Sequence, residues 1–247
     1  MVVTPAAHFT NKLQARAYEA ARDMAKIGKP VERGEWTMTP PTVNAYYSSS
    51  LNSINFPAGI LQPPFFDSKA DDATIYGAIG AVIGHEMSHG FDDRGRQFDP
   101  KGNLRDWWTP QDVTRYKARA DRVAEQFSAY TVLDTLHLNG RLTLGENIAD
   151  LGGLAIAYVA MQKAYAGTHD LVSGFTPEQR FFLGWARVWH DVSTDGSIRT
   201  SVLTDQHSPS HWRINGPMSN LKEFREAWGC KDGDPMVRPA EQRVRIW

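Results

Sequence analysis

The sequence predicts a mainly α-helical protein with a small β-sheet, of the α+β class. Apolar residues recur at helical spacing in a series of long segments, several framed by start and stop signals. Strand-like patterning is confined to two short runs around one polar turn. A hydrophobic fraction of 41% over 247 residues suits a globular chain with a sizeable core.

Taken from the N-terminus, Phe9 to Ile27 is rich in Ala, Lys and Arg at helical spacing, and Gly28 ends it. Pro30 to Pro41 is a connector closed by the Pro40-Pro41 breaker. Val43 to Tyr47 and the stretch from Ser53 to Phe56 read as strands joined through Ser48-Ser49-Ser50. Gly59 to Phe66 is apolar but holds Pro63-Pro64, so it reads as loop or wall. Ala73 to Gly90 reads as a helix apolar nearly all round (Ile75, Ile79, Val82, Ile83), which implies burial. Its glycines Gly77, Gly80 and Gly84 cost helix stability and imply close packing on a neighbour. Thr109-Pro110 opens a helix over Gln111 to Tyr130, and Leu142 to Leu144 leads into another over Glu146 to Tyr165. Thr176-Pro177-Glu178-Gln179 is a capping box that opens a helix to about Val192. Asn220 to Glu223 cap a last helix ending near Gly229, and the tail Gln242 to Trp247 packs back onto the body. At 247 residues the chain can be one large domain or two small ones, and a single domain over 1–247 accommodates these elements.

Bulk properties narrow the function. A net charge of -1 argues against a nucleic-acid binder or a polybasic membrane-surface protein. Cys230 is the only cysteine, so no intrachain disulfide forms. No stretch approaches the roughly 20 apolar residues of a membrane span. Met1 to Asn11 has no signal-peptide core. The expectation is a soluble chain, either exported by a bacterium or cytoplasmic.

The chemistry concentrates in His85-Glu86-Met87-Ser88-His89. Histidines four apart share one helix face and can grip a zinc ion, and Glu86 sits about 100° round the helix, suited to act as a base toward water. By chance the pattern arises in roughly one chain in a hundred of this composition, so it needs a third ligand. Glu146 is the best one, although it also reads as a helix-start carboxylate favoured by the dipole. Asp150 is four residues on, on the same face, placed to orient a histidine through its free ring nitrogen. Asp93, four beyond His89, is placed to do likewise. His8, His137, His169 and His190 lack such settings and read as ordinary histidines. Gly152-Gly153 reads as a helix-packing contact.

Several motifs recur together. They are Val43-Asn44-Ala45-Tyr46-Tyr47, the run from Phe56 to Phe66, Gly84 to Asp93, Gly145 to Gly153, His207-Ser208-Pro209 and the final Arg245-Ile246-Trp247. In these the chain resembles the catalytic portion of the neprilysin and endothelin-converting-enzyme family of zinc metallopeptidases, across essentially its whole length. The resemblance implies a gluzincin, thermolysin-like catalytic domain that holds one zinc ion and cleaves oligopeptides. It implies His85, His89 and Glu146 as zinc ligands, Glu86 as general base, and Asp150 and Asp93 as supports of the histidines. It further implies that His207 stabilises the oxyanion and that Arg213 grips the substrate beyond the cleaved bond. Asn44 and Ala45 would hydrogen-bond the substrate backbone, which suits a strand edge. Ile60, Phe65, Val82, Val188 and Trp189 would line an apolar pocket, giving cleavage on the amino side of large hydrophobic residues. Ile60, Val82 and Val188 read equally well as core.

Relatives usually carry a large helical domain that closes over the site, and here it is expected to be absent. Larger substrates would then enter, while water exclusion and positioning weaken. Apolar surface left by that domain would favour a homo-oligomer. The animal enzymes end with a cysteine that Val244-Arg245-Ile246-Trp247 lacks, which favours a bacterial oligopeptidase-type member. Two rival readings stand beside a zinc endopeptidase: a zinc-containing peptide-binding module without turnover, and a metal-free helical interaction domain.

Overall fold

The computed structural model describes residues 3–165 and 170–246, so His169 and Trp247 fall outside the described residues. The backbone groups into two compact units, Met1–Thr37 and Met38–Trp247. The first holds helix α1, His8–Met24, none of whose residues is buried. Arg22 and Lys26 both reach the Glu35 carboxylate, at 3.1 and 2.7 Å, and tie the following segment to the helix.

The second unit contains every residue singled out for chemistry. It opens with a hairpin of β1, Tyr46–Ser48, and β2, Ser53–Asn55, with Tyr46 opposite Asn55. The first strand therefore starts later than expected, and Asn44 and Ala45 precede it. The site helix, expected over Ala73 to Gly90, is a composite rod. It runs as α2, Asp72–Ile75, a wide π-type turn over Tyr76–Gly80, then α3, Ala81–Ser88, and a 3-10 turn over His89–Phe91. The long helix α4, Pro110–Ser128, follows, with Thr109 as N-cap and Pro110 in the first turn. A second hairpin, β3 Thr131–Leu133 and β4 Leu136–His137, leads to α5, Leu144–Ala164. The small sheet is thus two separate antiparallel pairs.

Helix α6, Pro177–Val188, has the capping box the sequence shows: Thr176 Oγ1 accepts from Gln179 N, and Gln179 Oε1 accepts from Thr176 N. Helices α7, Asp195–Thr204, and α8, Ser210–Met218, come next, followed by α9, Lys222–Trp228. Gly229 closes α9 in the left-handed region at φ 63°, as a C-terminal glycine should. Asn220 does not cap α9. Its amide reaches Gln126 Oε1 and Gly216 O, and its carbonyl oxygen accepts from Val244 N, which pins the tail. Val244 and Ile246 are buried, as expected of a tail that packs back.

Two apolar clusters form the core, and α5 contributes to both. Leu154 and Met161 join Val82, Phe181, Phe182 and Trp185 in one cluster. Ile148 and Leu151 join Phe127, Val123, Val244 and Ile246 in the other. A helix buried on opposite faces has no polar stripe, which explains the near-continuous apolar character of α5.

The α3–α5 crossing is backbone on backbone. A Cβ on Gly84 would lie 2.7 Å from Gly153 O, and one on Gly153 would lie 2.6 Å from Ala81 O and His85 N. Gly77 likewise abuts the Phe181 carbonyl. Gly80 does not share this role, since its nearest neighbour would sit at an ordinary 3.4 Å. Burial of the rod is also incomplete: Ile83 is 38% exposed.

Candidate metal centre and active site

The glycine crossing sets α3 and α5 close enough for short side chains to converge. His85 Nε2 lies 3.0 Å from His89 Nε2. Glu146 Oε2 lies 3.3 Å from His85 Nε2 and 3.6 Å from His89 Nε2. His85 and Glu146 are buried, and His89 is partly so. The far side of each histidine is already taken. His85 Nδ1 is 2.8 Å from Asp150 Oδ1, and His89 Nδ1 is 2.7 Å from Asp92 Oδ2. With the Nδ1–H groups given to carboxylates, the Nε2 lone pairs face one another and a buried Glu146 oxygen that has no hydrogen-bond partner. Lone pairs so placed repel unless a cation lies among them. Two imidazoles and one carboxylate form a donor set suited to a first-row metal ion.

The protonation preferences agree. Burial opposes charge on His85, but Asp150 and Glu146 outweigh it and raise its pKa. His89 rises to about 10 despite burial, through Asp92 and Glu146. Glu146 is held far below the carboxylate range: burial works against this, and the two imidazoles overcome it. Glu86 moves the other way, raised by burial with Glu146 adding to it. Its Oε2 is buried and unpartnered, while the side chain lines the cleft beside the histidines.

The support of His89 differs from expectation. Asp92, not Asp93, makes the contact. The rod tightens to three residues per turn from His89 to Phe91, which brings the residue at i+3 beneath the ring in place of i+4. Asp92 Oδ1 is fixed in turn by the amides of Arg94 and Gly95, at 2.8 and 2.6 Å. Asp93 lies beside Gly145 with a buried, unpartnered Oδ1, and its pKa is raised by burial and by Asp92.

A cleft of about 1070 Å³ opens in front of these groups. His207 stands at its edge, its Nε2 3.4 Å from Glu146 Oε2. Asp205 Oδ1 accepts from both the His207 amide and Nδ1, at 2.9 and 2.7 Å. Arg213 is 6% exposed. It donates to both Asp150 oxygens at 2.8 and 2.7 Å, and its guanidinium stacks 3.8 Å over Trp189. Asp150 therefore bridges His85 and Arg213 from behind and does not line the cleft.

Asn44 and Ala45 form one rim. Ile60, Phe65, Val82 and Trp189 line an apolar end, while Val188 does not, being turned into the core. Trp185 takes its place there, one helical turn before Trp189, and its Nε1 donates to Arg213 O at 2.9 Å. An i, i+4 tryptophan pair on α6 was the available signal for it. His8, His137 and His190 are exposed, and the His85–His89–Glu146 group is the metal-capable cluster found among the described residues.

Comparison with known proteins gives one answer. The family model described as peptidase family M13 matches residues 44–244. An endothelin-converting enzyme homolog of Locusta migratoria is 45% identical over 93% of this chain and 32% of its own length. Human endothelin-converting enzyme 1 is 44% identical over 98% of the chain and 32% of its length. The inhibitor complex of the Mycobacterium tuberculosis zinc metalloprotease Zmp1 superposes with a TM-score of 0.93 at 45% identity. It matches 98% of this chain and 38% of the Zmp1 chain. The chain thus spans about a third of the length of the curated relatives it matches.

Proposed function

The chain belongs to peptidase family M13, and from that premise we propose that it is a zinc endopeptidase acting on oligopeptides. The observation that carries this reading is the convergence of three lone-pair donors on one point. A tetrahedral zinc with bonds of about 2.0–2.1 Å sets its ligand atoms about 3.3–3.4 Å apart. The separations of 3.0, 3.3 and 3.6 Å bracket that value. His85, His89 and Glu146 would hold the ion. When bound, it supplies a Lewis acid that acidifies water and polarises a carbonyl oxygen.

The chain's own residues do the rest. Glu86 takes the proton of the attacking water on its carboxylate and delivers it to the leaving nitrogen. Its unpartnered Oε2 leaves it a free acceptor. His207, its Nδ1 held by Asp205, would turn Nε2 toward the oxyanion. Arg213, steadied by Asp150 and Trp189, meets a substrate carbonyl or carboxylate. Asn44 and Ala45 offer backbone-like contacts on the rim ahead of β1, and Ile60, Phe65, Val82, Trp185 and Trp189 receive an apolar side chain. That pocket supports cleavage on the amino side of large hydrophobic residues.

A peptide library digested with and without chelator tests this. Cleavage clustered before Phe, Leu or Ile and abolished by chelator is expected, whereas chelator-resistant cleavage, or none, contradicts it. Self-association is part of the same proposal, since Ile83, Met87 and Phe91 are 38%, 47% and 45% exposed. A strictly monomeric protein at high concentration, by light scattering, counts against it. No helix among the described residues is long and apolar enough to cross a membrane.

A further inference from the structure

The two oxygens of Glu146 have separate surroundings. Oε2 faces the Nε2 atoms of His85 and His89. Oε1 accepts a hydrogen bond from Gln206 Nε2 at 3.2 Å. The other end of that amide is held as well, because Gln206 Oε1 accepts from Arg94 Nη1 at 3.1 Å. These contacts fix the amide's orientation. Turned over, it would set an NH2 group against the guanidinium and a carbonyl against the carboxylate. Arg94 also donates its backbone N–H to Asp92 Oδ1, and Asp92 Oδ2 holds His89 Nδ1. A closed run of contacts therefore passes from His89 through Asp92, Arg94 and Gln206 to Glu146. It joins two metal-facing residues that lie on different helices.

We propose that Gln206, oriented by Arg94, is a positioning residue that keeps Glu146 presenting Oε2 alone to the metal. The proposal rests on reading His85, His89 and Glu146 as zinc ligands. A carboxylate free on both oxygens can rotate to offer both, which raises the coordination number and crowds the position left for water and substrate. A donor fixed on Oε1 opposes that rotation, as hydrogen-bonded partners of ligating groups generally do. The effect is separable from His207, whose amide and Nδ1 are both held by Asp205. Replacing the Gln206 side chain leaves that clamp in place. Gln206 and Arg94 are exposed, so water competes for their hydrogen bonds and the effect is moderate.

The test uses the full chain as wild type, Gln206→Leu, Arg94→Ala, Arg94→Lys and the double variant Gln206→Leu/Arg94→Ala. Two properties are read: zinc affinity by competition with a chelator, and the visible absorption of the cobalt-substituted protein, which falls as coordination rises above four. Gln206→Leu is expected to weaken zinc binding about five- to tenfold, toward the low end for such partners, and to lower the cobalt absorption. Arg94→Ala moves both in the same direction by less, Arg94→Lys restores them, and the double variant is no worse than Gln206→Leu alone. Zinc affinity within twofold of wild type and an unchanged cobalt spectrum in Gln206→Leu overturn the proposal. So does a further loss on adding Arg94→Ala, because Arg94 would then act by another route. A wild type that binds no zinc overturns the ligand reading itself, and this proposal with it.

Discussion

His85, His89 and Glu146 turn lone pairs toward one point because each is braced on its other side, by Asp150, Asp92 and Gln206 respectively. Without a metal the site meets its need for positive charge with protons. A His89 pKa raised to about 10 favours a proton there at neutral pH, which an entering metal ion would displace. Zinc binding at pH 7 is therefore expected to release protons and to weaken as pH falls. Calorimetry in buffers of different ionisation enthalpy reads the release, and a buffer-independent heat contradicts it. The sign for stability is the reverse. A histidine whose folded pKa is raised stabilises the apo protein fully below its unfolded pKa of about 6.5 and loses that contribution as pH rises toward 10. At this scale the facing pair His85 and His89, with Glu86 beside them, was legible, because a helix translates sequence spacing into position; that Glu146 converges on them follows only from the crossing of α3 and α5. Asp92 was not, since choosing it over Asp93 requires knowing that the helix tightens at His89. Gln206 and Arg94 carry no spacing signal, because only the tertiary fold brings them together.

At the scale of elements, the Gly84–Gly153 contact decides whether α3 and α5 form one site. Alanine at Gly153 adds a methyl 2.6 Å from backbone atoms that cannot move aside. Overpacking there is expected to cost about 1–3 kcal/mol net of helix propensity and to weaken zinc binding. Gly80→Ala, with room at 3.4 Å, is expected to leave zinc affinity unchanged. Denaturant midpoints and zinc titrations of the two variants check the contrast, and equal behaviour contradicts it.

A second joint ties the start of α2 to α6. Asp71 caps α2 through Thr74 N at 3.2 Å and accepts from the buried Arg180 at 2.8 Å. Burial pushes the Asp71 carboxyl up, but Thr74 and Arg180 outweigh it and lower its pKa. A depressed folded pKa gives stability above the ordinary aspartate value of about 4 that is lost as pH falls through the folded value. Asp71→Asn, which keeps a capping oxygen, is expected to cost about 1–2 kcal/mol at pH 7 through the lost charge opposite Arg180. The difference from wild type should shrink below pH of about 4. A pH-independent difference contradicts the assignment. Helices with strong periodicity or caps, α4, α5 and α6, were legible in the sequence. Helix α7 was missed although Thr194 caps it by accepting from Ser197 N, and α8 because tertiary contacts hold it and the loop before it: Ser208 on Asn147 at 2.8 Å, Arg213 on Asp150, and Trp212 stacked on Tyr130 at 3.9 Å. Those same contacts deliver His207 and Arg213 to the cleft.

For the whole molecule, helix α5 carries Glu146 and Asp150 and also belongs to both apolar clusters, so a metal ion held by Glu146 would add to the stability of the core. A ligand at about 1,000 times its dissociation constant adds about 4 kcal/mol, which for a chain of this size moves Tm by roughly 10 °C. Chelation is expected to lower Tm by that order and added zinc to restore it. A Tm indifferent to chelator contradicts the linkage.

Whether Glu86 acts on water held at a zinc site is decided by one assay on wild type and Glu86→Gln. Zinc content and cleavage of an internally quenched peptide are measured on the same samples. One zinc per chain is expected in both, with cleavage by the variant reduced about 10²- to 10⁴-fold. Full zinc with no cleavage by wild type, equal cleavage by both, or loss of zinc from Glu86→Gln would contradict it.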